Sequence, residues 1–143
     1  MTITHPDTDE TAISEIHTFP GYAIFMRSDH IIQLQFEDGF YGDVEDARNM
    51  MDTFRKLNNG TKHALIVLYK ESNMFSKEAR EYISGPEISE NVLLADAMVI
   101  KGLALKILGN AYLKINKPGR PTCLFTNKDE ALAWLKKITG SNS

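Results

Sequence analysis

The 143-residue chain has a single cysteine, Cys123, so no disulfide can form within it. That absence points to a reducing, cytoplasmic setting. No apolar run approaches the roughly 20 residues that span a bilayer, and the N-terminus lacks a basic flank followed by an apolar stretch. A membrane-embedded or signal-led chain is therefore not expected. The four histidines, His5, His17, His30 and His63, stand singly, without the three- or four-residue spacing that lets a helix present two ligands to one metal. No metal site or cofactor is expected. The chain also has no glycine-rich phosphate loop and no Gly-x-Ser-x-Gly elbow, so the expectation is a protein that is not an enzyme.

The formal charge is only −3, too small to imply nucleic-acid binding by overall field. Its distribution is uneven. Residues 1–50 hold ten acids against two bases, whereas residues 101–143 hold two against eight. Such polarity suits head-to-tail association or an anionic ligand, although charge runs of this kind are more often the wet faces of separate helices.

With 43% apolar residues the chain can build one core. Residues 1–15 are polar and acidic and are expected to form a loose tail. Residues 16–139 are expected to form the domain, with 140–143 a loose end. Tyr22–Met26 and His30–Phe36 are strand-like runs joined across Arg27-Ser28-Asp29, and alternation in the second puts Ile32, Leu34 and Phe36 on a core while the Gln33 and Gln35 side stays mostly wet. Asp43, with Asp46 three residues on, opens a helix whose Val44, Ala47, Met50, Met51, Phe54 and Leu57 form its inner face before Asn58-Asn59-Gly60 stops it. His63–Tyr69 is apolar almost throughout, the signature of a strand covered on both sides.

Ser76 begins a short helix that ends near Gly85-Pro86. Leu93 to Ile100 reads as a strand, with a helical alternative left open by its Leu, Ala and Met content. Leu103 to Ile115 is a helix, closed by the glycine and prolines of 118–121; Thr122–Phe125 is the last strand, and Thr126 or Asn127, the latter with Glu130 in the box position, caps a final helix with Ala131, Trp134, Leu135 and Ile138 inward. The order is β-β-α-β-α-β-α-β-α, an α/β domain with a mixed, largely parallel sheet flanked by helices.

Several strings then converge. The apolar strand Ala64-Leu-Ile-Val-Leu68 is followed by a Ser-capped helix. Ala95-Asp-Ala-Met-Val-Ile100 leads to the helix ending Lys114-Ile-Asn-Lys-Pro118, and Pro121-Thr-Cys-Leu-Phe125 precedes Ala131 and Trp134-Leu135. Across residues 20 to 138 this pattern resembles the SpoIIAA-like, STAS-type domains, and more closely the small uncharacterised bacterial proteins grouped with that fold. The resemblance implies protein interaction, regulation or small-ligand sensing rather than turnover. In the sporulation regulators of this family, a serine in an Asp-Ser-Ser-Gly turn is phosphorylated by a partner kinase. The matching stretch here, Met74-Phe-Ser-Lys-Glu-Ala79, lacks that turn, leaving Ser76 and the nearby Ser72 as candidates for such a switch.

Two further candidate sites come from the residues themselves. On the 103–115 helix, Lys106, Asn110, Lys114 and Lys117 share one wedge, with Leu103 inside it and Leu113 at its edge. Ala104, Ile107, Leu108, Ala111, Tyr112 and Ile115 fill the other side, expected to face inward. Leu103, Lys106, Leu113, Lys114 and Lys117 thus form a candidate surface for a protein partner, a homodimer or an anionic, partly apolar ligand. Met50, Met51, Phe54 and Tyr112 would line a pocket between sheet and helices if one exists; residues of these types at helical spacing are more often plain core. Cys123, in a strand, is read as a small hydrophobe.

Overall fold

The computed structural model describes residues 12–140. Its main sheet has six strands: β1 (His17–Phe19), β2 (Tyr22–Met26), β3 (Ile32–Phe36), β5 (His63–Leu68), β7 (Leu93–Val99) and β8 (Thr122–Phe125), in the spatial order β1-β2-β3-β5-β7-β8. The first three strands pair antiparallel and the last four parallel, so β3 belongs to both halves. Two short strands, β4 (Tyr41–Gly42) and β6 (Met74–Phe75), make a separate parallel pair.

Helices α1 (Val44–Asn58), α2 (Lys77–Ser84), α3 (Pro86–Asn91) and α4 (Gly102–Asn116) lie toward one face of the main sheet, and α5 (Lys128–Thr139) covers the other. This is a mixed, mostly parallel α/β layer structure, and Leu93–Val99 is extended. The order differs from the expected one by β1, the β4/β6 pair and α3. These elements are two to six residues long, too short to show a period.

Local chemistry accounts for the helix starts. Asp43 and Asp46 form a reciprocal capping box at α1, each carboxylate accepting the other's backbone N–H at 3.0 Å. Asn127 accepts from the Glu130 N–H at 2.9 Å to start α5. Of the segment expected to be loose, residues 1–11 fall outside the described part of the chain, as do residues 141–143. Residues 12–14 are held: Ala12 bridges Arg27, and the Ser14 hydroxyl accepts from the Met26 N–H at 2.8 Å. Gly140 closes α5 in the left-handed conformation.

Three expectations about packing are corrected. Gln33 and Gln35 are buried rather than wet, because Arg27 donates to the Gln33 side-chain oxygen at 2.9 Å and Gln33 in turn to Gln35 at 2.8 Å. A satisfied polar chain can be buried where a lone amide cannot. On α5, Ile138 is exposed and Leu132 takes the buried place beside Ala131 and Leu135, while Trp134 is half-buried against Phe125, ring centroids 5.5 Å apart. On α4, Ile107, Leu108 and Ile115 are exposed instead of buried, leaving Leu105, 6% exposed, as its one buried side chain. The cause is Gly109. A Cβ there would stand 2.8 Å from Leu124, so α4 meets β8 along its glycine edge and turns the Ile107 side away.

A candidate ligand-binding cavity

Because α4 rests on the sheet along a narrow line, a cavity of about 300 Å³ remains beneath it. Its floor is the sheet, with Leu34 from β3, Leu65 and Val67 from β5, and Asp96 and Met98 from β7. Met50, Met51 and Phe54 of α1 form one wall, Arg80 and Ile83 of α2 another. The roof is α4, with Leu105, Leu108, Tyr112 and Ile115. Most of this lining is aliphatic carbon, thioether and aromatic ring.

Asn73, Arg80 and Asn116 add polar groups to the lining, and Asp96 marks its β7 side. Asp96 is the one charge in an otherwise apolar strand, and Arg120 clamps it through two parallel bonds of 2.9 and 2.7 Å. Both side chains are almost fully buried. The remaining guanidinium nitrogen donates to the Ile83 carbonyl at 3.0 Å and the Ser89 hydroxyl at 2.9 Å, tying the start of β8 to α2 and α3. Burial would make the Arg120 proton easier to lose, but the Asp96 carboxylate more than offsets this and holds the guanidinium charged.

Two tyrosines stand beside this pair. The Tyr69 hydroxyl donates to the Met98 sulfur at 3.8 Å. The Tyr112 hydroxyl is buried and, among the described residues, is the one buried side-chain polar atom without a hydrogen-bond partner. Burial first, and then the charge of Asp96, push the Tyr112 phenol well above its ordinary range. Tyr69 is displaced the same way by burial, with Tyr112 and Asp96 adding to it. Both are neutral donors at any physiological pH.

All four residues read from the sequence as a possible pocket, Met50, Met51, Phe54 and Tyr112, line this cavity. The signal missed was Asp96: a lone carboxylate inside an apolar strand needs a buried partner, and Arg120 lies 24 residues away. Ser76 is placed elsewhere, as the N-cap of α2, where its hydroxyl accepts from the Ala79 N–H at 3.1 Å. Ser72 is exposed on the preceding loop, its N–H donating to Asp38 at 3.2 Å. Leu103, Lys106 and Lys114 are exposed on α4, Lys117 is exposed just past its end, and Leu113 is half-buried. Cys123 is half-buried on β8, in register with Ala97 of the α5 face. Among the described residues no three of His, Cys, Asp and Glu gather as a metal site, and no helix is long and apolar enough to cross a membrane.

A mixed sheet of this order, flanked by helices on both faces, is a SpoIIAA-like fold. The chain is similar to a solved structure, an uncharacterized protein from the DUF3478 family with a SpoIIAA-like fold from Shewanella loihica PV-4. That similarity has a TM-score of 0.60 at 16% identity, over 85% of this chain and 97% of that one. The chain itself belongs to the family described as a domain of unknown function, DUF7793, whose family model matches residues 24–139. No curated protein matches it.

Proposed function

We propose that the protein is a non-catalytic binding module that takes up one small, mainly apolar molecule between its sheet and α4. The observation that carries this reading is the cavity of about 300 Å³. That is the small end of the range for small-molecule sites, roughly 300–1,000 Å³, and its composition, apolar walls with a few converging polar groups, is the usual one. Energetics favour an occupant. At about 24 cal/mol per Å³, a sealed dry void of this size would cost about 7 kcal/mol, as much as many domains have in total stability. The cavity opens beside α4, which lowers that cost, yet a ligand covering its walls recovers contact energy that water does not supply.

The lining also limits what the ligand can be. Asp96 is neutralised by Arg120, so the deep end favours an uncharged group. Arg80, whose guanidinium donates to the Phe75 carbonyl, lines the α2 side without an ion pair among the described residues. An acyl-type molecule, with its chain on the methionines and its acidic end toward Arg80, meets both conditions. The regulatory role implied by the family resemblance is then carried by occupancy of the cavity. Ser76 already has a structural task as the cap of α2, its hydroxyl accepting from the Ala79 N–H.

Native mass spectrometry of the protein purified from its own host tests this reading. A retained small molecule is expected in the parent and should be absent from a filled variant, Val67→Phe with Leu108→Phe. Host-purified parent at the bare polypeptide mass, under conditions that preserve noncovalent complexes, would count against it.

A further inference from the structure

The outer side of α4 carries a second, separate message. Leu103 is 72% exposed, Ile107 59% and Ile115 76%, and with Leu108 they form one continuous arc along the helix. A contiguous apolar arc on a single helix differs from the scattered exposed leucines that any surface has. Lys106 and Lys114, both exposed, border that arc, and Leu103 lies within the lysine wedge itself. From Lys101 to Pro121 there is no acidic side chain, although the chain as a whole is acidic. Apolar groups edged by lysine, with carboxylate excluded for twenty-one residues, are what an interfacial helix needs to lie on an anionic surface.

We propose that α4 docks this protein on an anionic lipid surface, its Leu103, Ile107 and Ile115 side chains entering the headgroup boundary and Lys106 and Lys114 meeting lipid phosphates. A second copy of the chain fits this face less well. A two-fold pairing of α4 on itself would set both lysine rows together with no acid on either helix to meet them. Leu108 and Ile115 belong both to this arc and to the lining of the cavity, so the docked face borders the cavity mouth. The inference needs only the outside of α4 and holds whether or not the cavity is occupied.

Sedimentation with vesicles decides it, using pure phosphatidylcholine and an equimolar mixture with phosphatidylglycerol. The parent is expected to bind the anionic vesicles and to be released at roughly 1 M salt, where the screening length falls to about 3 Å. A lysine near such a surface contributes about fivefold in partition, so Lys106→Gln with Lys114→Gln should weaken binding by roughly 25-fold. Leu103→Glu with Ile107→Glu should abolish it. Ile115→Gln, at a still more exposed site, gives an independent weakened variant, and thermal unfolding confirms that each remains folded. Three results would overturn the proposal: equal binding to neutral and anionic vesicles, unweakened binding by the Leu103/Ile107 variant, or a stable dimer of the parent that this variant dissolves.

Discussion

Replacing Tyr112 by Phe should make the ligand-free protein more stable. The substitution keeps the ring that roofs the cavity and removes only the hydroxyl, which is buried and has no partner among the described residues. Leaving a buried donor unsatisfied costs about 1–3 kcal/mol, and deleting it recovers part of that. We take about 1 kcal/mol, because Tyr112 as a whole is only half-buried and α4 has room to adjust. For a chain of this length that is a rise of about 3 °C in unfolding midpoint. Far-UV circular dichroism melts of delipidated protein provide the assay. Tyr69→Phe is the control: its hydroxyl already donates to the Met98 sulfur, so no stabilisation is expected there. A lowered midpoint for Tyr112→Phe would refute the reasoning, since it would mean that the hydroxyl is engaged and the polar end of the cavity is already satisfied.

Arg120→Ala should destabilise by about 3–5 kcal/mol, because it strands a buried Asp96 carboxylate and cuts the tie to Ile83 and Ser89. In urea the midpoint should fall by about 2 M, and a shift under about 0.5 M would show that the corner hydrates freely. Leu105→Ala should cost about 2 kcal/mol, and Leu103→Ala should stay within about 0.5 kcal/mol, as chemical denaturation would measure. A reversal would mean that α4 packs in the other rotation. Burial alone would raise the Asp29 carboxyl, but the Arg27 guanidinium at 3.0 Å and Lys136 at 3.4 Å more than offset it and hold it below the ordinary range. The stability this contributes is present above the unfolded value of about 3.9 and is lost as pH falls through the lower folded value. The stability gap between the parent and Asp29→Asn should therefore narrow below about pH 4, and a gap that widens there would contradict the pairing.

What was legible in the sequence was local. The Asp43/Asp46 box, the Ser76 and Asn127 caps and the unbroken apolar run from Ala64 to Leu68 each announce an element from a few neighbouring residues. The Ala64–Leu68 run and the Ser-capped helix, with the strings Ala95–Ile100, Lys114–Pro118 and Pro121–Phe125, carried the resemblance to the SpoIIAA-like fold, and the spacing after Asp43 put Met50, Met51 and Phe54 on the inner face of α1, where the cavity is found. What was not legible depends on partners distant in the chain or on how one helix is turned. Gln33 and Gln35 look like surface residues until Arg27 is placed against them. The apolar pattern of α4 fits inward packing equally well, and only the contact of Gly109 with Leu124 fixes which side faces out. Asp96 and Arg120, which hold the polar end of the cavity, meet only in the fold.

Titration with N-phenyl-1-naphthylamine, a small neutral dye that fluoresces in apolar surroundings, tests the existence of a usable site beneath α4 most directly. Delipidated parent protein should enhance its emission saturably and with one dye per chain, while the variant carrying Val67→Phe and Leu108→Phe, still folded, should not. A parent that gives no saturable signal, or a filled variant that binds the dye as the parent does, would contradict the account.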